Sequence, residues 1–242
     1  MKNSPLVDYI KISPNSTNPR KGIIRKITIH HMAGNLTVEQ CGEVFATKNR
    51  KASSNYGIGS DGRIGMYVEE KNRAWTSSSA DNDNQAITIE VANDKIGGDW
   101  HVSDKALEAL IELCVDICER NNIKGLNFTG DKNGNLTMHK YFANTTCPGP
   151  YLESKFPYIA DAVNKRLGLI AEDAFKPHVV KVTVSALNIR SGPGTDYDVV
   201  GCIKDKGRYT IAEEKTGEGS LNGWGKLKSG AGWISMDYTV KC

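Results

Sequence analysis

No stretch of this chain is long and apolar enough to span a bilayer; runs such as Ala109 to Val115 are short and broken by charge. That sets membrane insertion aside. A Lys/Arg stripe is also missing. Net charge is only +3 with both signs interspersed, so nothing favours nucleic acid, although a mildly basic protein suits an anionic polymer surface. The opening residues Met1-Lys2-Asn3-Ser4-Pro5 lack the apolar core of a secretory signal. The expectation is synthesis in the cytoplasm without signal-dependent export. Cysteine is sparse. Six residues, Cys41, Cys114, Cys118, Cys147, Cys202 and Cys242, are scattered through 242 positions, a chain too long to need disulfide staples. Cys114 and Cys118 stand four apart on a helical face shared with Leu107, Leu110 and Ile111. That is the pattern of small core groups rather than of a redox pair.

What is present is a mixture of strands and helices, followed by a change of texture. Residues 1–24 are polar and read as an ordered approach to a first strand, Arg25 to His30. Thr37 with Gln40 forms a capping-box pattern that opens a helix to about Lys48. Two apolar runs, Tyr56 to Gly59 and Ile64 to Val68, flank Asp61-Gly62, a hairpin signal. Ala86 to Val91 reads as a buried strand, and Ser103 caps an amphipathic helix to about Arg120. A short strand, Leu136 to Met138, precedes His139, and Pro150 opens a last helix ending near Gly168. Residues 169–178 read as a linker. From 179 to 242, short β-rich runs separated by glycine turns predict a small β-barrel: 182–184, 187–190, 197–200, 209–211, 223–227 and 232–234. The expected division is therefore 1–168, a linker over 169–178, and 179–242.

Three side chains carry the chemistry. His30 ends the first strand, His139 follows the strand at 136–138, and Cys147 sits eight residues later, ahead of Pro148. Two imidazoles and a thiolate suit a tetrahedral Zn2+ whose fourth position is open to water. A closed structural site would use four protein ligands, so the pattern predicts a zinc hydrolase. Any one of these residues alone would be an ordinary surface or packing group.

Five segments then occur in order: Ile29 to Gly34, Ser54 to Ile58, Arg73 to Trp75, Ile87 to Val91, and His139 through Gly149. Over residues 20–167 this series resembles the zinc-dependent N-acetylmuramoyl-L-alanine amidases, the family of T7 lysozyme and the peptidoglycan recognition proteins. It is most similar to the phage endolysin type. The resemblance implies a mixed-sheet α/β amidase domain with flanking helices. It implies Zn2+ held by His30, His139 and Cys147, with His30 rather than His31 as the first ligand. Glu90 matches the catalytic glutamate and Tyr56 an active-site tyrosine. Thr145 stands where relatives carry Lys or Thr. The implied reaction is cleavage of the lactyl amide joining N-acetylmuramic acid to L-alanine. Glu90 would shuttle the proton, and Tyr56 or Thr145 would donate to the oxyanion.

Leu187 to Gly194, with Trp224 to Leu227 and Gly230 to Ile234, resembles bacterial SH3 domains. That implies an all-β SH3-like barrel binding cell-wall peptides, so peptidoglycan is expected as both substrate and wall ligand, reached after release from the cytoplasm. Two rivals stay open at this stage: a protein that binds peptidoglycan without cleaving it, and a zinc peptidase acting within the stem peptide. The retained Cys147 disfavours the first, and the ordered motifs disfavour the second.

Overall fold

The structure is a computed structural model that describes residues 2–170 and 175–242. It divides into two compact units, Met1–Ala171 and Glu172–Cys242. Part of the expected linker, 171–174, lies outside the described residues. Among the described residues no helix is long and apolar enough to cross a membrane.

The first unit contains strands β1 (Tyr9–Ile10), β2 (Ser16–Thr17), β3 (Lys26–His31), β4 (Tyr56–Ile58), β5 (Ile64–Met66), β6 (Arg73–Ala74), β7 (Ala86–Val91) and β8 (Leu136–Met138). Its helices are α1 (Val38–Phe45), α2 (Ala80–Gln85), α3 (Asp104–Arg120) and α4 (Pro150–Arg166). Six strands form one sheet in the order β1-β5-β4-β7-β3-β8, and β2 pairs with β6 apart from it. Strands β3, β7 and β8 run parallel, β4 joins β7 in parallel, and the β4–β5 hairpin is antiparallel. The Asp61-Gly62 turn behaves as its sequence predicts, with Gly62 at a φ of 89° and the Gly59 N–H donating to the Arg63 carbonyl at 3.0 Å. The capping box at Thr37 and Gln40 is formed, and the Ser103 hydroxyl accepts from the Ala106 N–H at 3.2 Å.

Strand alternation divides the sheet by chemistry. Ile27, Ile29, Ile87, Ile89 and Val91 are fully buried and join the core built by α3 and α4, where Leu110, Ile111, Leu152 and Phe156 also pack. Each fully buried aliphatic chain of this kind contributes about 1.5–3 kcal/mol. Cys114 and Cys118 lie in this core as free thiols. A smaller cluster of Cys41, Phe45 and Tyr67 ties α1 to the unit, and the Tyr67 hydroxyl donates to the Val38 carbonyl at 2.8 Å. The residues between the isoleucines point away from the α3–α4 core, and it is among them that the site is built.

The second unit holds β9 (His178–Val182), β10 (Leu187–Arg190), β11 (Val199–Ile203), β12 (Arg208–Lys215), β13 (Trp224–Leu227), β14 (Trp233–Ser235) and β15 (Thr239–Lys241). They form one antiparallel sheet in the order β11-β10-β14-β13-β12-β9-β15. Val180, Val182, Leu187, Ile203, Ile211, Leu227 and Ile234 make its core. Two expectations shift. The first strand begins at His178, inside the expected linker, because Val180 and Val182 alternate into the core while Val179 and Lys181 face out. A final strand, β15, closes against β9 although its Val240 is exposed. Backbone pairing, not an apolar face, holds it, so the sequence carried no signal for it.

Candidate metal and catalytic site

Three threonines mark where the site begins. Thr28, Thr88 and Thr137 stand side by side across β3, β7 and β8 in the strand register. The Thr28 and Thr137 hydroxyls are 2.9 Å apart, and the Asn82 side-chain amide donates to Thr28 at 3.0 Å. Thr88 in turn is within 2.9 Å of the Thr76 hydroxyl. Two residues further along β3 and β7, on the same face, come His30 and Glu90, and His139 follows directly on the end of β8. His30 and Glu90 are direct register partners. The buried, hydrogen-bonded threonine row fixes the strands beneath the functional row. The row lies at the carboxyl ends of parallel strands, where open α/β sheets place their ligands.

Cys147 reaches this row from the loop between β8 and α4. The Lys140 N–H donates to the Cys147 carbonyl at 3.2 Å, and the Gly149 N–H donates to the Thr146 carbonyl at 2.9 Å. Gly149 sits at a φ of 84°, and a Cβ there would meet Trp100 at 3.1 Å and His31 at 3.2 Å. This is a conformation and a clearance that suit glycine. Pro150 then starts α4 at its first turn.

His30, His139 and Cys147 present one donor atom each, all within 4.8 Å of one another. Cys147 Sγ lies 3.6 Å from His30 Nδ1, and the two imidazole rings are 4.7 Å apart. Zinc–nitrogen and zinc–sulfur bonds of about 2.05 and 2.3 Å at a tetrahedral angle would separate those atoms by about 3.6 Å. The donor set therefore fits a tetrahedral zinc without rearrangement at that edge. Two further atoms of the site, His139 Nε2 and Glu90 Oε2, are buried without hydrogen-bond partners, which native interiors avoid unless water or an ion completes them. Electrostatics points the same way. Burial, reinforced by His139, holds the His30 imidazole far below its usual range, and burial lowers His139 as well. Burial, then Glu90, pushes the Cys147 thiol up. Neutral imidazoles are ready ligands, whereas the thiolate needs a cation beside it to exist in this setting.

Glu90 and Thr145 line the same cavity of about 450 Å3 as His30, His139 and Cys147. Burial raises the Glu90 carboxyl to about 8, and the Arg50 guanidinium pulls the other way. The Thr145 hydroxyl accepts from the Cys147 N–H at 3.2 Å, which leaves its own proton free to donate. His31 stands outside the ligand cluster and meets Trp100 edge-on at 5.3 Å. Trp75 also lines the cavity, and its indole N–H donates to Thr17 at 2.9 Å.

Tyr56 is the correction. It pairs with Ile89, whereas its neighbour Gly57 pairs with Glu90. Strand parity therefore turns the phenol into the α3–α4 core, away from the row that holds His30. The ring is fully buried, and its hydroxyl donates to Glu70 at 2.6 Å and accepts from the Ser4 N–H at 3.0 Å. Glu70 is fully buried too. Arg120 donates to both of its oxygens, at 2.8 and 2.7 Å, and also pairs with Asp116 at 2.7 Å. Tyr56 belongs to a structural ion network. Tyr56→Phe is expected to cost about 1–2 kcal/mol of stability by leaving Glu70 short of a donor, with kcat changed less than about twofold, since a group that touches no reacting atom takes no part in the transition state. Denaturant melts beside rate measurements check this; a loss of turnover at unchanged stability would restore a catalytic role.

Residues 19–150 match a family model described as N-acetylmuramoyl-L-alanine amidase, and residues 185–240 match one described as bacterial SH3 domain. No curated protein matches the chain. Among solved structures it is similar to the PlyG catalytic domain, at 17% identity over 69% of this chain and 98% of that one, with a TM-score of 0.54. It is also similar to a mutant of PlyL, at 16% identity over 64% and 97%, with a TM-score of 0.52. A third likeness is to the N-acetylmuramoyl-L-alanine amidase LysC from Clostridium intestinale URNW, at 19% identity over 68% and 96%, with a TM-score of 0.46. The first two likenesses concern the fold.

Proposed function

Because the chain belongs to the N-acetylmuramoyl-L-alanine amidase family, whose model spans residues 19–150, we propose that it is a zinc-dependent amidase that cuts peptidoglycan between N-acetylmuramic acid and L-alanine. The observation that carries the zinc reading is the His30–Cys147 separation of 3.6 Å within a three-donor cluster. His30, His139 and Cys147 would hold the metal, which would supply a Lewis acid and an acidified water.

The remaining steps belong to this chain's own residues. Glu90 faces the ligand row from the adjacent strand. Its carboxylate takes the proton of the attacking water and returns it to the leaving alanine nitrogen. Burial opposes ionisation of this carboxyl, and an adjacent divalent charge favours it. Thr145 donates its free hydroxyl proton to the oxygen that gains charge. The ion-paired interior below, from Tyr56 through Glu70 to Arg120, holds the sheet and touches no reacting atom.

The second unit contains a bacterial SH3 domain over residues 185–240. It keeps the enzyme on an insoluble polymer, where tethering raises the effective concentration of substrate.

One experiment addresses both parts. Intact walls are digested by the full chain and by a chain ending at Ile170, each with and without a chelator. The expected result is new N-terminal alanine, no new reducing ends, suppression by the chelator, and weaker sedimentation with walls for the shortened chain. Reducing ends would identify a glycosidase and defeat the amidase reading. New termini at stem positions other than alanine would identify a peptidase.

A further inference from the structure

The catalytic cavity does not stop at the metal ligands. A second depression of about 330 Å3 adjoins it across four shared lining residues, Ala52, Trp75, Thr76 and Ser78. The outer part adds Lys51, Arg73 and Asp83.

The charges lining the two are not balanced. Asp83 is buried, and its carboxylate accepts from the Thr76 N–H at 3.0 Å and from the Ser77 hydroxyl at 2.6 Å. Arg73 and Arg20 both act on Asp83 across space, and Arg73 also donates to Thr17 at 2.8 Å. Among the described residues, neither the Arg50 nor the Lys51 side chain makes an ion pair or a hydrogen bond, although Arg50 acts across the cavity on the Glu90 carboxyl. Arg50 lines the inner cavity beside Glu90, and Lys51 lines the outer one.

Exposed cations are usually solvated and carry no meaning, but the backbone under these two is fixed. Lys48–Arg50 is a single 3-10 turn, closed by the Arg50 N–H to the Thr47 carbonyl at 3.2 Å. The Asn15 side-chain amide donates to the Thr47 carbonyl at 2.8 Å, and the Ser53 hydroxyl donates to the Asn15 carbonyl at 2.5 Å. Residues on both sides of the turn are thereby tied to the N-terminal segment. A cation free of hydrogen bonds, presented on a fixed turn into a cleft, loses little entropy on taking a ligand anion.

The bond to be cut separates a sugar from a peptide. Wall peptides carry either free carboxylates or the carboxamides made from them, and surplus positive charge discriminates between the two. We propose that Arg50, supported by Lys51, is a specificity-determining residue that binds a free carboxylate on the wall peptide close to the scissile amide, so that carboxylate-bearing peptides are cut in preference to their carboxamide counterparts. The inference rests on the amidase reading above.

Two soluble N-acetylmuramoyl peptides, identical except for a carboxylate or a carboxamide on the residue after alanine, test it with the full zinc-loaded chain. Wild-type protein is expected to favour the carboxylate roughly five- to tenfold in kcat/KM, mostly through KM. The preference should shrink as salt rises. Arg50→Gln should bring the ratio close to one, and Arg50→Lys should keep most of it. Both variants should melt with the wild type, because Arg50 is exposed and bonds through its backbone alone. A wild-type ratio near one, or a ratio that survives Arg50→Gln, overturns this inference while leaving the amidase reading intact. Cleavage of neither peptide overturns both.

Discussion

Cys147→Ser is expected to remove bound zinc and to lower amidase turnover by at least about a hundredfold. A hydroxyl is a poor ligand for zinc, and even groups that only orient ligands cost 10–100-fold when lost. The sulfur stands 3.6 Å from His30 Nδ1 in a set with one donor per residue, so no neighbouring side chain replaces it. Glu90 lines the same cavity but stands outside the three-donor cluster. The fold should survive, because Cys147 sits in a loop held by backbone bonds at Lys140 and Gly149, and serine nearly matches its volume. Elemental analysis, together with melting in excess zinc, separates the two effects. Wild-type protein should gain about 2.7 kcal/mol of stability at zinc a hundredfold above its Kd, and the variant should gain little. A variant that keeps a full equivalent of zinc and normal turnover would end the ligand assignment.

Where sequence fell short, the missing information was pairing. Ile27, Ile29, Ile87 and Ile89 announced buried strands, Asp61-Gly62 a hairpin, and Thr37 with Gln40 a helix start, because each is a local signal with a local cause. Tyr56 failed for a different reason. Whether a strand residue faces the ligands or the opposite core depends on its register with a neighbouring strand, and a one-residue slip exchanges the faces. The pairing of Gly57 with Glu90 sends Tyr56 to Glu70. The Glu70–Arg120 pair spans fifty positions and left no trace in local pattern. Likewise α2, Ala80–Gln85, has no apolar period to reveal it; the Ser79 hydroxyl caps it by accepting from the Asn82 N–H. One signal was legible and unused: Thr28, Thr88 and Thr137 each stand two residues before His30, Glu90 and His139. Three strands with a threonine followed two places later by an ionisable group form a shared face with a polar foundation and a reactive edge.

Glu90→Gln separates proton transfer from metal binding. The amide keeps the shape of the side chain and cannot accept the proton, so kcat should fall about 10²- to 10⁴-fold while zinc content and KM change little. Stability carries an independent signature in the chelated protein. The folded-state carboxyl is raised to about 8 by burial, against about 4.3 in an unfolded chain. An acid raised on folding costs stability as pH climbs from its unfolded value to its folded one, by at most about 1.4 kcal/mol per pH unit over that window. Glutamine carries no such charge. The metal-free variant should therefore match wild type near pH 4 and become progressively the more stable of the two up to about pH 8, beyond which the gap stays constant. Zinc should narrow that gap, because a nearby divalent cation favours the carboxylate. Normal turnover in the variant would remove Glu90 from the proton path, and loss of zinc would make it a fourth ligand, closing the position that the reaction requires to be open.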